Sequence, residues 1–176
     1  LNVKYKADNK VQQTFLLLQK DGGTLDIPSD TDWVFPDAGG NGYYRWHTSL
    51  EQLDRLVDDI DELTTREKIA VLGNSEALLK AGKLSLADYL FVINTLIRER
   101  HPLVFLPALE KLITIGNEFV DTKTDEAFAR YVDSALTDRF QEVGIDRRPG
   151  DNEAIIQMRP RLLRALGQFG SDEAAR

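Results

Sequence analysis

The side chains of this 176-residue chain with the widest chemistry are its two histidines, because imidazole binds metals and transfers protons near neutral pH. A zinc-binding H-E-x-x-H helix requires two histidines one helical turn apart on the same face. His47 instead ends an aromatic segment, and His101 lies far along the chain, between Arg100 and Pro102 at a predicted helix boundary. The spacing predicts no zinc site, and His101 is expected to cap backbone carbonyl groups.

A run of carboxylates follows the first predicted helix and comprises Asp58, Asp59, Asp61 and Glu62. A calcium-binding loop alternates oxygen ligands around a central glycine, and this run contains no glycine. The run stands between one helix and the capping signature of the next. We therefore expect a solvated turn here, without a bound metal.

Three glycines, Gly39, Gly40 and Gly42, form a cluster that invites comparison with a phosphate-binding loop. Such a loop needs a helix N-terminus directly behind it, and strand-like sequence follows this cluster, so a hairpin turn is predicted. The chain contains no G-x-S-x-G motif, no P-loop and no cysteine. An enzyme with its own active site needs a converging set of titratable groups. The sequence supplies none, so it predicts no catalytic residue, no cofactor-binding residue and no metal ligand.

The charge of the chain argues against a nucleic-acid partner. Its formal net charge is -7, and it has no basic stripe of the kind that binds phosphates. Five arginines near the end are interpreted as a solvated helix face, because acidic neighbours dilute them: Arg147, Arg148, Arg159, Arg161 and Arg164. No apolar stretch is long enough to span a membrane, and no signal peptide is visible. The sequence predicts no membrane partner and leaves the localisation open.

Residues 1–48, which would have to position these groups, have the pattern of short strands. The predicted strands are Val3 to Ala7, residues 11–18, Leu25 to Ile27, Trp33 to Phe35 and Tyr43 to His47, with turns at Asp21-Gly22 and Asn41-Gly42. Side chains alternate along a strand, so Tyr43 and Tyr44 are expected on opposite faces. One of the two tyrosines is expected to pack on the first helices, near Leu53 or Leu56.

From Ser49 onwards, hydrophobic periodicity predicts six helical segments with short connections. The expected caps are Ser49 and Thr64, completed as capping boxes by Gln52 and Glu67, and Thr124. The expected stops are Gly82 and Gly144, the fourth segment is expected to end near Gly116, and the last is expected to be interrupted or restarted at Pro160. Short connections favour antiparallel helix pairs stacked side by side. The predicted fold is mainly α: a short antiparallel β segment followed by an array of helical hairpins, a HEAT-like α-α superhelix.

Each predicted helix has one apolar face that is expected to point inward. The predicted faces comprise Leu50, Leu53, Val57 and Ile60; Ile69, Leu72 and Leu79; Tyr89, Val92, Ile93 and Leu96; Leu106, Leu109, Leu112 and Ile113; Phe128, Tyr131, Val132, Ala135, Leu136 and Phe140; and Ile155, Leu162, Leu166 and Phe169. A fully buried Leu or Phe contributes roughly 1.5–3 kcal/mol, so packing is expected to dominate local propensity.

The order of several short motifs resembles the gluzincin aminopeptidases, the group of aminopeptidase N and the endoplasmic-reticulum aminopeptidases. Trp33-Val34-Phe35 followed by Asn41-Gly42-Tyr43-Tyr44-Arg45-Trp46 is similar to that family's W-v…N-x-x-x-x-G-Y-Y-R-v-x-Y strand pair. Leu63-Thr64-Thr65-Arg66, then Glu76-Ala77-Leu78-Leu79-Lys80-Ala81-Gly82-Lys83-Leu84-Ser85, look like L-S-x-x-D-R…A-L-x-x-A-G-x-L-S. Val143-Gly144, then Met158-Arg159-Pro160-Arg161-Leu162-Leu163, resembles L-G…L-R-x-x-L-L. Asp37 and Thr65 stand where the family usually has Asn and Asp.

The resemblance implies that residues 1–48 are the last strands of a small β-sandwich domain and residues 49–176 the first part of an α-helical repeat domain. It also implies that the zinc and the H-E-x-x-H helix belong to an upstream catalytic domain of the same chain, so no cofactor is expected in this segment. The implied partners are that catalytic domain and a peptide substrate. The helical domain of such enzymes helps to enclose the substrate chamber.

The alternative interpretation is an independent helical-repeat module that binds a peptide or protein. A free-standing module is expected to have a complete sheet or a polar capping repeat. This chain begins within a strand-like pattern, which favours a region of a larger aminopeptidase.

Overall fold

Three short strands form an antiparallel sheet in the spatial order β2-β1-β3. The strands are β1 (Asn2–Ala7), β2 (Lys10–Phe15) and β3 (Trp33–Phe35). Asp8 and Asn9, with φ of 50° and 56°, make the tight turn between β1 and β2. Asp and Asn tolerate this left-handed backbone better than most residues, which is why the turn forms here.

Six α-helices follow, in a computed structural model that describes residues 1–171. They are α1 (Leu50–Asp58), α2 (Thr65–Lys80), α3 (Leu86–Leu96), α4 (Pro102–Phe119), α5 (Asp125–Val143) and α6 (Glu153–Phe169), with a short 3-10 turn at Ile60–Glu62. The predicted fold class, mainly α with a short antiparallel β segment, is confirmed. Within residues 1–171, none of the helices has the length and apolar character needed to cross a membrane.

The chain divides into two compact units, Leu1–Thr95 and a second that begins at Leu96. In the first unit, α1 packs against β3, and in the second α6 packs against both α4 and α5. The first unit contains both the sheet and helices, so this division does not test the predicted change of domain near residue 48, which remains a prediction.

The core of the first unit lies between the sheet and the helices. Trp33 and Phe35 are fully buried, and Leu53, Leu56 and Val57 of α1 are buried as well. Two residues predicted to point inward do not: Leu50 is 51% exposed and Ile69 is 37% exposed. Leu50 is the first residue of α1, and in α2 the buried face is shifted toward Val71 and Leu72.

The core of the second unit is apolar along three helices and follows the predicted faces closely. Leu109, Leu112 and Ile113 of α4, Phe128, Val132 and Leu136 of α5, and Leu162 and Leu166 of α6 are buried. Helix α4 ends at Phe119, three residues beyond Gly116, near which the sequence predicts its end. A Cβ on Gly116 would lie 2.6 Å from the Phe169 ring and 2.9 Å from the Phe128 ring, so this glycine allows close helix packing.

Pro160 does not interrupt the last helix, contrary to the prediction. It lies inside α6 and costs the helix one backbone hydrogen bond. The buried residues on either side of it, Met158, Arg159 and Leu162, hold both halves of the helix in the core. Tertiary packing therefore outweighs the local penalty of the proline.

Two of the predicted strands do not form within residues 1–171, the part of the chain that the structure describes. The segments Leu25 to Ile27 and Tyr43 to His47 have no ladder partner, and the last strand of the sheet ends at Phe35. Alternating or aromatic sequence favours an extended chain, but a strand forms only where a second strand can pair with it. Side-chain contacts position residues 43–47 instead, as described below.

Candidate functional site

A buried ion pair between Lys4 of β1 and Glu67 of α2 joins the sheet to a helix in the first unit. The ammonium Nζ of Lys4 donates to Oε2 of Glu67 at 2.6 Å, and the two side chains are 6% and 1% exposed. Oε2 also accepts from the backbone N–H and the hydroxyl of Thr64, at 2.8 and 3.0 Å. Oε1 accepts from the backbone N–H of Gly39 at 2.8 Å. We name Lys4, Gly39, Thr64 and Glu67 the Glu67 cluster.

Thr64 and Glu67 of this cluster also form the capping box of α2, which confirms the prediction for these two residues. Burial raises the pKa of Glu67, but hydrogen bonds from Gly39, Lys4 and Thr64 outweigh it and hold this pKa below its ordinary value. The carboxylate is therefore charged and joins strand, loop and helix. The Ser49 box is only half formed: Ser49 accepts from the N–H of Gln52, whereas Oε1 of Gln52 has no hydrogen-bond partner among the described residues.

A second contact joins the sheet to the end of α1. Oδ2 of Asp59 accepts from Nζ of Lys6 and from the indole N–H of Trp33, both at 2.8 Å. Burial raises the pKa of Asp59, but these two hydrogen bonds outweigh it and lower it. The expectation of a solvated carboxylate turn is therefore wrong for Asp59, because the folded sheet brings two donors to it.

The loop that holds the three glycines wraps onto the start of α2. Gly40, at φ of 62°, has its Cβ position only 2.9 Å from the carbonyl oxygen of Arg66. The N–H of Gly42 donates to Oδ1 of Asp37 at 2.8 Å, and the Arg66 guanidinium donates to Asn41 at 2.8 Å. The predicted hairpin is therefore wrong: the glycines let the loop approach a helix.

Residues 43–47 alternate in exposure although they form no strand. Tyr43 is fully exposed, and Tyr44 is half-buried with its hydroxyl donating to the carbonyl of Pro36 at 2.5 Å. Burial, followed by the negative charge of Asp37, raises the pKa of Tyr44. The two tyrosines differ in exposure, but they lie in no strand, so the prediction of opposite sheet faces is wrong. The predicted packing of one tyrosine near Leu53 or Leu56 stays a prediction, and Trp46 is hydrogen-bonded to α2 instead.

Trp46 is joined to α2 through Asn74. The backbone N–H of Trp46 donates to Oδ1 of Asn74 at 3.1 Å, and Nδ2 of Asn74 donates to the backbone carbonyl of Trp46 at 2.9 Å. The Asn74 amide thus replaces a neighbouring strand. The Trp46 ring meets the Phe35 ring edge-on, with the centroids 5.7 Å apart.

The second unit contains an open cleft of about 360 Å³ between the residues that follow α3 and the outer side of α5. Three arginines line it, Arg98, Arg100 and Arg139, beside Asp138 and Glu142. The Arg139 guanidinium donates to the carbonyl of Glu99 at 3.0 Å and lies over the Phe105 ring at 5.2 Å. Arg139 is thus structural, whereas Arg98 and Arg100 are exposed and can contact a polar ligand.

A family model described as the ERAP1-like C-terminal domain matches residues 33–176. The chain belongs to the ERAP1-like C-terminal domain family. Its relatives include the puromycin-sensitive aminopeptidase of Caenorhabditis elegans, which is 22% identical over 170 residues. The alignment covers 93% of this chain and 18% of that relative, so the chain spans less than a fifth of its length. The resemblance inferred from the motifs is confirmed.

In this ERAP1-like domain, Asp37 stands where the family usually has Asn, and it still makes the hydrogen bond that an Asn could make. A carboxylate oxygen of Asp accepts from the Gly42 N–H as the amide oxygen of Asn would. One of the five C-terminal arginines is misplaced by the prediction: Arg159 is buried and donates to the carbonyls of Val143 and Gly144 and to Asp151. It ties the end of α5 to α6.

The described residues of this ERAP1-like domain do not form a zinc site, and the aminopeptidase resemblance implies the zinc in a different domain. Within residues 1–171, no group of three or more His, Asp or Glu side chains is placed to hold a metal ion. His47 and His101 belong to different units. His101 caps α4 by accepting from the N–H of Leu103 at 3.3 Å, so the expected capping of carbonyls is wrong. It precedes the helix, where unpaired N–H groups are found.

Sequence reasoning missed the roles of Lys4, Asp59, Asn74 and Arg159. Three of these residues are charged, and a sequence pattern assigns charged residues to the surface by default. The one available signal was Glu67, because a carboxylate in a capping box accepts from the N-cap backbone and can still accept from another donor such as Lys4.

Proposed function

We propose that this chain is the non-catalytic C-terminal region of a zinc metallo-aminopeptidase that removes N-terminal amino acids from peptides. The match of residues 33–176 to the ERAP1-like C-terminal domain is the observation that carries the proposal. An aminopeptidase relative that aligns with 93% of this chain supports it. The zinc and the reacting groups then belong to another part of a longer protein.

In this proposal, residues 1–48 are the last strands of a small β-sandwich domain and residues 49–176 begin a HEAT-like helical repeat domain. The partners are the catalytic domain of the same chain and the peptide substrate. The helical part helps to enclose the substrate chamber. Exposed arginines in the α5 cleft, Arg98 and Arg100, are suited to contacting polar parts of a peptide away from its N-terminus.

The first test compares the 176-residue chain with its longer parent. We expect the parent to bind zinc stoichiometrically and to hydrolyse aminoacyl substrates, and the chain alone to do neither. One tightly held zinc per isolated chain would contradict the proposal. So would micromolar, sequence-selective peptide binding by the isolated chain, which favours a stand-alone interaction module instead, because one open groove rarely offsets the entropy cost of binding.

The chamber role is tested in the parent with Arg98→Gln and Arg100→Gln. We expect KM for long peptides to rise several-fold, with KM for a single aminoacyl amide unchanged, since only a long substrate reaches the cleft. Arg130→Gln is the matched control, because Arg130 is exposed on α5 and lies outside the cleft. Equal KM values for long peptides in all three variants would argue against the chamber role.

A further inference from the structure

The end of β2 carries an exposed apolar surface. Phe15 is 76% exposed, Leu17 73% and Leu18 56%. We name these three residues the Leu17 edge. Exposed apolar residues that lie next to one another mark contact surfaces, whereas scattered ones need no explanation. These three are close together in sequence at an edge strand of the sheet.

The β1–β2 ladder continues past the last strand residues toward this surface. Asn2 pairs with Phe15 in the register of the two strands. Beyond that pair, the Leu16 N–H donates to the carbonyl of Leu1 at 2.8 Å, and the nitrogen of Leu1 donates to the carbonyl of Leu16 at 2.6 Å. Leu1 and Leu16 thus exchange both bonds of an antiparallel pair.

The backbone direction of Leu18 follows from this pairing. In an antiparallel ladder, successive residues direct their N–H and C=O groups to opposite sides. Leu16 bonds toward β1, and Gln19 bonds on the other side, exchanging hydrogen bonds with Gly22 at 3.0 and 3.1 Å. Leu18 therefore directs its N–H and C=O to the same side as Leu16. Among residues 1–171, no backbone group bonds to them there.

We propose that the residues directly upstream of Leu1 in the longer aminopeptidase continue β1 and cover the Leu17 edge. The register places the first upstream residue opposite Leu17 and the second opposite Leu18, where it exchanges both backbone hydrogen bonds. The partner is an extended segment with apolar or β-branched side chains, the kind that packs against leucine across a sheet. This inference rests on the proposed function, which supplies the longer chain.

The experiment compares hydrogen exchange in the 176-residue chain and in the same chain carrying its own preceding residues. We expect the Leu18 amide to exchange about tenfold or more slowly in the longer form, because it gains a hydrogen-bond partner. The amides of Gln19 and Gly22, which bond each other in both forms, are internal controls. Equal exchange of Leu18 in the two forms overturns the inference.

A second measurement uses Leu17→Ser in both forms. We expect the urea midpoint to fall in the longer form and to stay unchanged in the 176-residue chain, where Leu17 is exposed. Leu103→Ser is the control, since Leu103 is 61% exposed in the other unit. An unchanged midpoint in the longer form also overturns the inference.

The two proposals fail separately. A parent that contains no zinc aminopeptidase overturns the proposed function whatever Leu18 does. A parent that is a zinc aminopeptidase, but leaves the Leu18 amide as exposed as before, overturns only the upstream strand.

Discussion

Each of the two units of this chain is stabilised internally by a different kind of interaction. Seven polar or charged residues are buried among residues 1–171. Six of them belong to the Leu1–Thr95 unit, namely Lys4, Asp37, Glu67, Lys68, Asn74 and Ser75, and the seventh, Arg159, belongs to the second unit. The second unit is held mainly by apolar faces of α4, α5 and α6. The first unit contains a loop and an irregular segment whose backbone groups have no helix or ladder to pair with. Buried side chains supply those partners.

The difference teaches how irregular backbone is fixed in position. A helix satisfies its own backbone groups, so apolar packing is enough to place it. The Gly39 N–H and the Trp46 backbone instead depend on one side chain each, Glu67 and Asn74. The first unit should therefore be sensitive to single polar substitutions, and the second to changes of volume.

The largest expected effect is that of Glu67→Gln. It leaves the Lys4 ammonium buried without an opposite charge, and removing one partner of a buried pair costs about 3–5 kcal/mol. Both tryptophans lie in the first unit, so urea unfolding followed by tryptophan fluorescence measures this loss. Lys4→Met in the same protein should restore part of the stability.

The matched control for Glu67→Gln is Glu51→Gln, which breaks an exposed pair with Arg55. Such surface pairs contribute about 0.3–0.5 kcal/mol. The wild type should also lose stability as pH falls through the lowered pKa of Glu67, whereas the glutamine variant lacks this carboxylate. The difference in unfolding free energy between the wild type and Glu67→Gln should therefore be largest at neutral pH and become smaller in acid. Equal losses for both variants would contradict the central role of Glu67.

Asn74→Ala comes next, because it leaves both the N–H and the carbonyl of Trp46 buried without partners. Each unsatisfied buried group costs about 1–3 kcal/mol, so we expect a loss of roughly 2–4 kcal/mol by tryptophan fluorescence. Asn41→Ala removes an exposed hydrogen bond with Arg66 and should change stability by less than about 0.5 kcal/mol. A loss for Asn74→Ala no larger than this control would show that solvent replaces the amide.

The sequence predicts the second unit better than the first for the same reason. The inward faces of α4, α5 and α6 follow from a 3.6-residue period, and Gly144 ends α5 as predicted. Its errors concern His101, which precedes a helix and caps N–H groups, and Arg159 and Pro160, which are buried or held in α6. At Arg159, at Pro160 and in the close packing at Gly116, contacts between helices decide what the local pattern leaves undetermined. Close approach of two phenylalanine rings to a glycine is not visible in a sequence.

Three of the failures in the first unit are the Tyr43 to His47 strand, the glycine hairpin and the carboxylate turn at Asp59. Each depends on a partner that is distant in sequence: Asn74, the start of α2, or the Lys6 and Trp33 donors. Hydrophobic periodicity contains no information about such pairs. The order of the motifs nevertheless identified the family, because residues that contact each other across the fold can be matched by their positions in the sequence even when the contacts themselves cannot be predicted.

A change of volume in the second unit is tested by Gly116→Ala. The new Cβ would meet the rings of Phe128 and Phe169, and overpacking of this kind costs about 1–3 kcal/mol. Gly167→Ala is the control, because within residues 1–171 no atom outside the backbone of α6 itself lies within 4 Å of its Cβ position. It should raise stability by up to about 1 kcal/mol through helix propensity. Far-ultraviolet circular dichroism in urea follows both, and a neutral Gly116→Ala would contradict the close packing.

The smallest effects compare the same kind of helix cap in the two units. Thr64 caps α2 and Asn152 caps α6, and truncating such a cap to Ala costs about 0.5–2 kcal/mol. The Thr64 hydroxyl also donates to Oε2 of Glu67 at 3.0 Å, whereas the one side-chain hydrogen bond of Asn152 among the described residues is that from the N–H of Ile155. We therefore expect Thr64→Ala to cost more than Asn152→Ala, because it removes a donor from the buried carboxylate as well. In the Glu67→Gln background this excess should shrink, since the charge that Thr64 supports is gone. A Thr64→Ala loss that is the same in both backgrounds would mean that the hydroxyl acts on the helix alone, and the first unit would then rest on fewer coupled contacts than its geometry indicates.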